Sequence, residues 1–166
     1  MRTAIDTNLL IILLRGKPAD QAELVAQALI KYDGQGQLLI SPIVWAELKV
    51  LIGTKKLDSF LKDSRILIDW EQTAEVWSAA ADAFARYLEN RRRGKTIQHC
   101  TCGREINVIC PDCGKMLGFP RHIPPDFLVA AHALHRADLL LTADKGIPQR
   151  YFPALRIGNP LESTGD

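Results

Sequence analysis

Apolar positions along the chain fall into short blocks that switch between a strand-like and a helix-like period. Thr3 to Asp6 predicts a short buried strand. It runs straight into Asn8-Leu9-Leu10-Ile11-Ile12-Leu13-Leu14, which is apolar nearly all round and stops at Arg15-Gly16, as a short buried helix does. Ala22 to Tyr32 predicts a second helix closed by Asp33-Gly34, and Gln37 to Ile40 a second strand. Ser41-Pro42 supplies an N-cap followed by proline at the first helical position, opening a helix to about Leu51. Arg65 to Ile68 predicts a third strand. From Glu71 to Arg91 the residues Val76, Trp77, Ala80, Phe84, Tyr87 and Leu88 recur at helical spacing and give a long helix one apolar face. Pro124-Pro125 introduces a helix from Asp126 to about His135, and strands follow at Leu139 to Thr142 and Leu155 to Ile157. Strands alternating with helices predict an α/β domain around a largely parallel sheet.

The 166 residues, 47% of them apolar, suffice for one domain spanning 1–166 with a genuine core. A net charge of +2 is compatible with nucleic acid but does not argue for it, so charge placement has to decide. No apolar stretch is long enough to span a bilayer, and Met1-Arg2-Thr3-Ala4-Ile5-Asp6 lacks the pattern of a signal peptide, so a cytoplasmic protein is expected.

The candidate chemistry lies in four carboxylates. Asp6 ends a predicted strand and Asp144 lies two residues beyond Thr142, so both stand at carboxyl ends of strands, the edge where ligand crevices form in open α/β sheets. Asp6 also suits a helix cap. Glu47 shares a predicted helix face with Ile43, Val44, Val50 and Leu51, where a charge is costly unless a cation, hydrogen bonds or a buried salt bridge compensate it. Asp126 opens an apolar helix, where capping is the plainer role. Together the four suggest a hard-cation site, because Mg²⁺ or Mn²⁺ prefers oxygen ligands. Asp138, at the far end of the strand leading to Asp144 and roughly 20 Å from it in extended chain, is expected to be structural. His132 reads as a packed or solvated helix histidine.

All four cysteines fall between Cys100 and Cys113, which suits a metal site in a reducing compartment better than a disulfide framework. Cys110-Pro111-Asp112-Cys113-Gly114 has the spacing of a zinc knuckle, and Cys100 and Cys102 complete a four-cysteine set; His99 with Cys102 is the alternative second pair. A redox role for Cys110 and Cys113 leaves the other two unexplained. Just before this segment, Arg91-Arg92-Arg93-Gly94-Lys95, with Arg86 about a turn earlier, could neutralise RNA phosphates, or simply complement a helix C-terminus.

Four stretches in order resemble the PIN-domain family, and within it the VapC-type toxins of toxin–antitoxin pairs. They are Ala4-Ile5-Asp6-Thr7-Asn8, Ser41-Pro42-Ile43-Val44-Trp45-Ala46-Glu47-Leu48, Pro125-Asp126-Phe127-Leu128-Val129-Ala130-Ala131-His132-Ala133-Leu134, and Ala137-Asp138-Leu139-Leu140-Leu141-Thr142-Ala143-Asp144-Lys145-Gly146. The resemblance covers the chain apart from an insert at about residues 96–120. It implies a three-layer sandwich with a mainly parallel central sheet, Mg²⁺- or Mn²⁺-dependent endoribonuclease activity, an RNA substrate, a cognate antitoxin and frequent homodimers. It further implies that Asp6, Glu47, Asp126 and Asp144 are the metal-site acids, with Asn8 and Thr142 as polar helpers. The cysteine insert departs from the compact toxin pattern. Zinc ribbons accompany PIN domains that process ribosomal RNA, so an RNA-processing nuclease, or a non-catalytic RNA- or protein-binding module, is the competing expectation.

Overall fold

In the computed structural model, residues 1–92, 98–99, 105–106, 109, 111–114, 123–144 and 146–162 are described. The chain begins with β1 (Arg2–Ile5), α1 (Thr7–Arg15), α2 (Ala19–Asp33) and β2 (Gln37–Ile40), followed by α3 (Pro42–Ile52), α4 (Thr54–Asp63) and β3 (Leu67–Ile68). It continues through α5 (Ala74–Arg92), a small hairpin of β4 (Gln98–His99) and β5 (Glu105–Ile106), α6 (Pro125–Arg136), β6 (Leu139–Leu141), α7 (Ile147–Tyr151) and β7 (Ile157–Gly158).

Five strands form one parallel sheet in the order β3-β2-β1-β6-β7. From β1 the chain winds outward one way through β2 and β3, then crosses to the other side of β1 for β6 and β7. The strand order therefore reverses between β1 and β6, and a crevice opens at the carboxyl ends of strands at such a switch point. Register makes the placement concrete: Ile5 pairs with Leu141, and the Asp6 amide donates to the Leu141 carbonyl at 2.9 Å. Asp6 and Thr142 are thus forced side by side.

Strands buried from both faces need apolar side chains on both, and the sheet meets this with Ala4, Ile5, Leu38, Leu39, Ile40, Leu139, Leu140 and Leu141, all buried. Ser41 caps α3 as expected, its hydroxyl accepting from the Val44 amide at 3.3 Å with Pro42 in the first turn. Gly16, at φ +62, ends α1 in the left-handed conformation, its amide donating to the carbonyls of Ile12 and Leu13.

Several sequence expectations require correction. Arg65 stands at φ +57, a conformation no strand tolerates, so the third strand is only Leu67–Ile68. The last strand is shifted to Ile157–Gly158, and α2 starts at Ala19 rather than Ala22. Trp77 does not share the buried face of α5: it is 48% exposed, while Val76, Ala80, Phe84 and Tyr87 are buried. Two helices went unread, α4 and the short α7. Helix α4 carries buried Leu57 and Leu61 at helical spacing within an otherwise polar segment.

Candidate active site

Each acid arrives on a separate element. Asp6 follows β1, Glu47 lies in α3, Asp126 is in the first turn of α6, and Asp144 follows β6. Helix α6 is pinned by fully buried Phe127, whose ring lies 5.4 Å from Phe84, 5.6 Å from Tyr87 and 5.7 Å from Tyr151, centre to centre. That aromatic cluster joins α5, α6 and α7 and holds Asp126 in place beside its anchor.

The capping explanation for Asp6 fails, since its side chain makes no capping hydrogen bond in α1; Asp126 is not the N-cap of α6 but stands in its first turn, where a carboxylate also suits the helix dipole. Asp6 is engaged elsewhere. Its Oδ2 accepts from Thr142 Oγ1 at 2.6 Å and from Asn8 Nδ2 at 2.7 Å. Asn8 Nδ2 also donates to Thr142 Oγ1 at 3.1 Å, and Asn8 Oδ1 accepts from the Ala143 amide at 3.1 Å. Thr142 Oγ1 accepts from the Asp144 amide at 2.9 Å, and Asp144 Oδ1 from the Gly146 amide at 2.7 Å. One polar network thus ties the end of β1, the first turn of α1 and the loop after β6.

Glu47 is partly buried and takes no ion-pair partner among the described residues; the Thr7 hydroxyl donates to its Oε2. The apolar stripe expected around it is narrower than the sequence suggested. Val44 and Leu48 are buried, but Val50 and Leu51 are 87% and 48% exposed.

The electrostatics join the four acids. Burial pushes Asp6 up to about 6 against the opposing hydrogen bond from Thr142, and the charges of Asp126 and Asp144 add to the rise. Desolvation by neighbouring atoms and the charges of Asp144 and Glu47 push Asp126 up to about 6, although the residue is exposed to solvent. The acids surround a common region without closing on one point: among the described residues, no three His, Cys, Asp or Glu side chains form a group ready to hold an ion. Their chemistry nonetheless fits a hard cation. The donors are carboxylate oxygens, and their mutual repulsion is the kind a divalent ion relieves.

Other sequence candidates fall elsewhere. Asp138 Oδ2 accepts from the Arg2 amide at 2.7 Å, joining the starts of β6 and β1 away from the acids. His132 is 1% exposed, and its Nε2 lies 3.7 Å from Asp69 Oδ2. Burial holds its imidazole below the ordinary range against the opposing Asp69 charge. Asp69, which the sequence reading passed over, is the centre of a charged network: Arg2 Nη2 lies 2.7 Å and Arg136 Nε 3.0 Å from its Oδ2. Arg86 is exposed on α5, and its Nη2 donates to the Tyr151 carbonyl at 2.8 Å. Arg91 and Arg92 close α5 with their side chains outside the described residues, as are Arg93 and Lys95. Of the proposed zinc ligands, Cys100, Cys102 and Cys110 and the side chain of His99 also lie outside them. Cys113 is an exposed free thiol followed by Gly114 at φ +64, the conformation expected of the glycine in a metal-binding turn.

Among the described residues no helix is long and apolar enough to cross a membrane. No curated protein matches the chain. Solved structures that share its fold include chains from two VapBC proteins. A chain of VapBC2 from Rickettsia felis, bound to a DNA fragment from its promoter, is 21% identical with a TM-score of 0.59, over 96% of this chain and 98% of that one. A chain of VapBC-1 from nontypeable Haemophilus influenzae is 16% identical with a TM-score of 0.57, over 98% and 100%. The PIN domain family matches residues 3–153, nearly the whole of the sheet and all four acids. With its parallel central sheet flanked by helices and its acids at the switch point, the chain belongs to the PIN-domain family.

Proposed function

We propose that this protein is a divalent-cation-dependent endoribonuclease and the toxin of a type II toxin–antitoxin pair. The observation that carries the reading is the mutual electrostatic influence of Asp6, Glu47, Asp126 and Asp144, brought from four separate elements towards the switch point of the sheet. PIN domains are generally metal-dependent nucleases, and the likeness to the two VapBC chains supports an antitoxin partner.

Bound Mg²⁺ or Mn²⁺ would supply Lewis acidity and neutralise charge developing on the scissile phosphate. The four acids would hold it. Asn8 and Thr142 orient Asp6 by both donating to its Oδ2. Thr142, through the Asp144 amide, fixes the turn that presents the fourth acid. The proposal also assigns a structural Zn²⁺ to Cys100, Cys102, Cys110 and Cys113, with His99 as the alternative to Cys100. Arg91, Arg92, Arg93 and Lys95 would grip the RNA backbone, and the protein would work in the cytoplasm as a homodimer.

The cysteine-rich insert favours a second reading, an RNA-processing nuclease with no antitoxin. Induced expression separates the two. As a toxin, the chain arrests growth, the arrest is relieved by co-expressing the product of an adjacent small gene, and Asp126→Asn is harmless. Growth unaffected by the active protein overturns the toxin assignment.

A further inference from the structure

The four acids are not held alike. Asp6 is short, and two donors fix it. Asp144 is fixed by the turn around it, through the Gly146 amide. Glu47 has three side-chain torsions and stands on a helix whose next turn is largely exposed at Val50 and Leu51, so apolar packing does not immobilise it. What engages it is the hydroxyl of Thr7, forty residues earlier in the chain, donating to its Oε2.

Thr7 is well placed for this. It is the first residue of α1, directly after Asp6, and is itself only 8% exposed. Being β-branched, it has few rotamers, which limits the directions its hydroxyl can take. A carboxylate that accepts a fixed hydroxyl on one oxygen presents the other in a defined direction. With Asn8 gripping Asp6 and Thr142, two consecutive residues in the first turn of α1 reach three of the elements that carry the acids.

Resting on the nuclease reading above, we propose that Thr7 is the positioning residue for Glu47: its hydroxyl aims the free Glu47 oxygen into the site and thereby sets the affinity for the divalent cation. Groups that orient metal ligands from the second layer typically change metal affinity by about 10–100-fold when removed.

The test is Mn²⁺ binding to the full chain by calorimetry and electron paramagnetic resonance. Wild type is compared with Thr7→Val, which keeps volume and branching but not the hydroxyl, with Thr7→Ser, with Glu47→Gln, and with the Thr7→Val/Glu47→Gln double variant. Thr7→Val is expected to weaken Mn²⁺ binding about 10–100-fold, Thr7→Ser to restore most of it, and the double variant to bind no more weakly than Glu47→Gln alone. If Thr7→Val does not fold, Thr7→Ala, which leaves room for water beside Glu47, carries the same expectation. Unchanged affinity in the hydroxyl-free variant, failure of serine to restore it, or fully additive losses overturn the assignment of Thr7 while leaving the metal site standing. Wild type that binds no Mn²⁺ overturns both.

Discussion

Asn8 and Thr142 lie 134 residues apart, yet both donate to the same oxygen of Asp6, and Asn8 Nδ2 also donates to Thr142 Oγ1 at 3.1 Å, closing a triangle. The triangle is a direct consequence of pairing β1 with β6, since residues that follow paired strand ends are neighbours whatever their separation in sequence. Removing the Thr142 hydroxyl leaves the partly buried Asp6 short of a donor and releases the Asp144 amide. Thr142→Val is therefore expected to lower cleavage about 10–100-fold, and Thr142→Ser to recover most of it, measured as kcat/KM on a fixed RNA.

Asp6 and Asp126 are pushed up to about 6, so in the absence of cation the folded chain binds protons more tightly than the unfolded chain. Stability from such groups is fully present below the unfolded value near 4 and is lost as pH rises through about 6. Metal-free protein should thus melt at a lower temperature at pH 7.5 than at pH 5, and Mn²⁺ should restore stability at the higher pH by binding the folded form. Asp6→Asn keeps an oxygen for Thr142 and Asn8 and removes the buried charge. It should raise metal-free stability at pH 7.5 by about 1–2 kcal/mol while abolishing activity. A pH-independent melting temperature would contradict this.

Asp69 behaves oppositely. Burial would raise it, but hydrogen bonds from Arg136, the Glu71 amide and Arg2 outweigh that effect and hold its carboxyl below the ordinary range. Its contribution is present above the unfolded value and lost as acid reaches the depressed folded one. Asp69→Asn is expected to destabilise by about 1 kcal/mol at neutral pH, since Arg136 keeps Glu71 and Arg2 is half exposed, and to leave the metal affinity of the folded protein intact. Urea melts of wild type and variant at pH 7 and pH 3 check this, because the difference between them should shrink in acid.

Zinc supplies a separable prediction. A chelator strong enough to strip thiolate-bound Zn²⁺ should release about one ion per chain, detectable with a chromophoric dye. The parallel sheet should remain cooperative when melted afterwards, because its core of Ile5, Leu39, Leu140 and their neighbours is built from strands and helices outside the cysteine segment. Protein purified in buffered Zn²⁺ that releases no zinc would contradict the four-cysteine assignment.

How far the sequence could be read depended on whether a feature was local. The β1 strand, the Ser41-Pro42 helix start and the Gly16 stop were legible because each is written in consecutive residues with a specific backbone requirement. Asp6, Asp126 and Asp144 stood out because they stand at or just beyond ends of elements, Glu47 because it shares a helix face with apolar residues, and all four in part because four stretches resemble a family. Helix α4 was missed because Leu57 and Leu61 are its only buried positions in a lysine- and aspartate-rich segment. Trp77 was placed on the wrong face because one extra apolar residue beside a stripe looks like part of it. The partners of Thr7 and Asp69 could not be read at all: Thr7 meets a residue 40 positions on, and Asp69 one 67 positions away, so only the folded sheet brings them together.

The central claim is tested most directly by incubating the purified chain with a panel of structured and single-stranded RNAs, with Mg²⁺, with Mn²⁺ and with chelator. A folded Asp6→Asn/Asp126→Asn double variant runs alongside. The account predicts cutting that requires the divalent ion and disappears in the variant. Cutting that survives in chelator or in the variant would contradict it, as would a wild-type protein that neither binds the cation nor cuts any RNA.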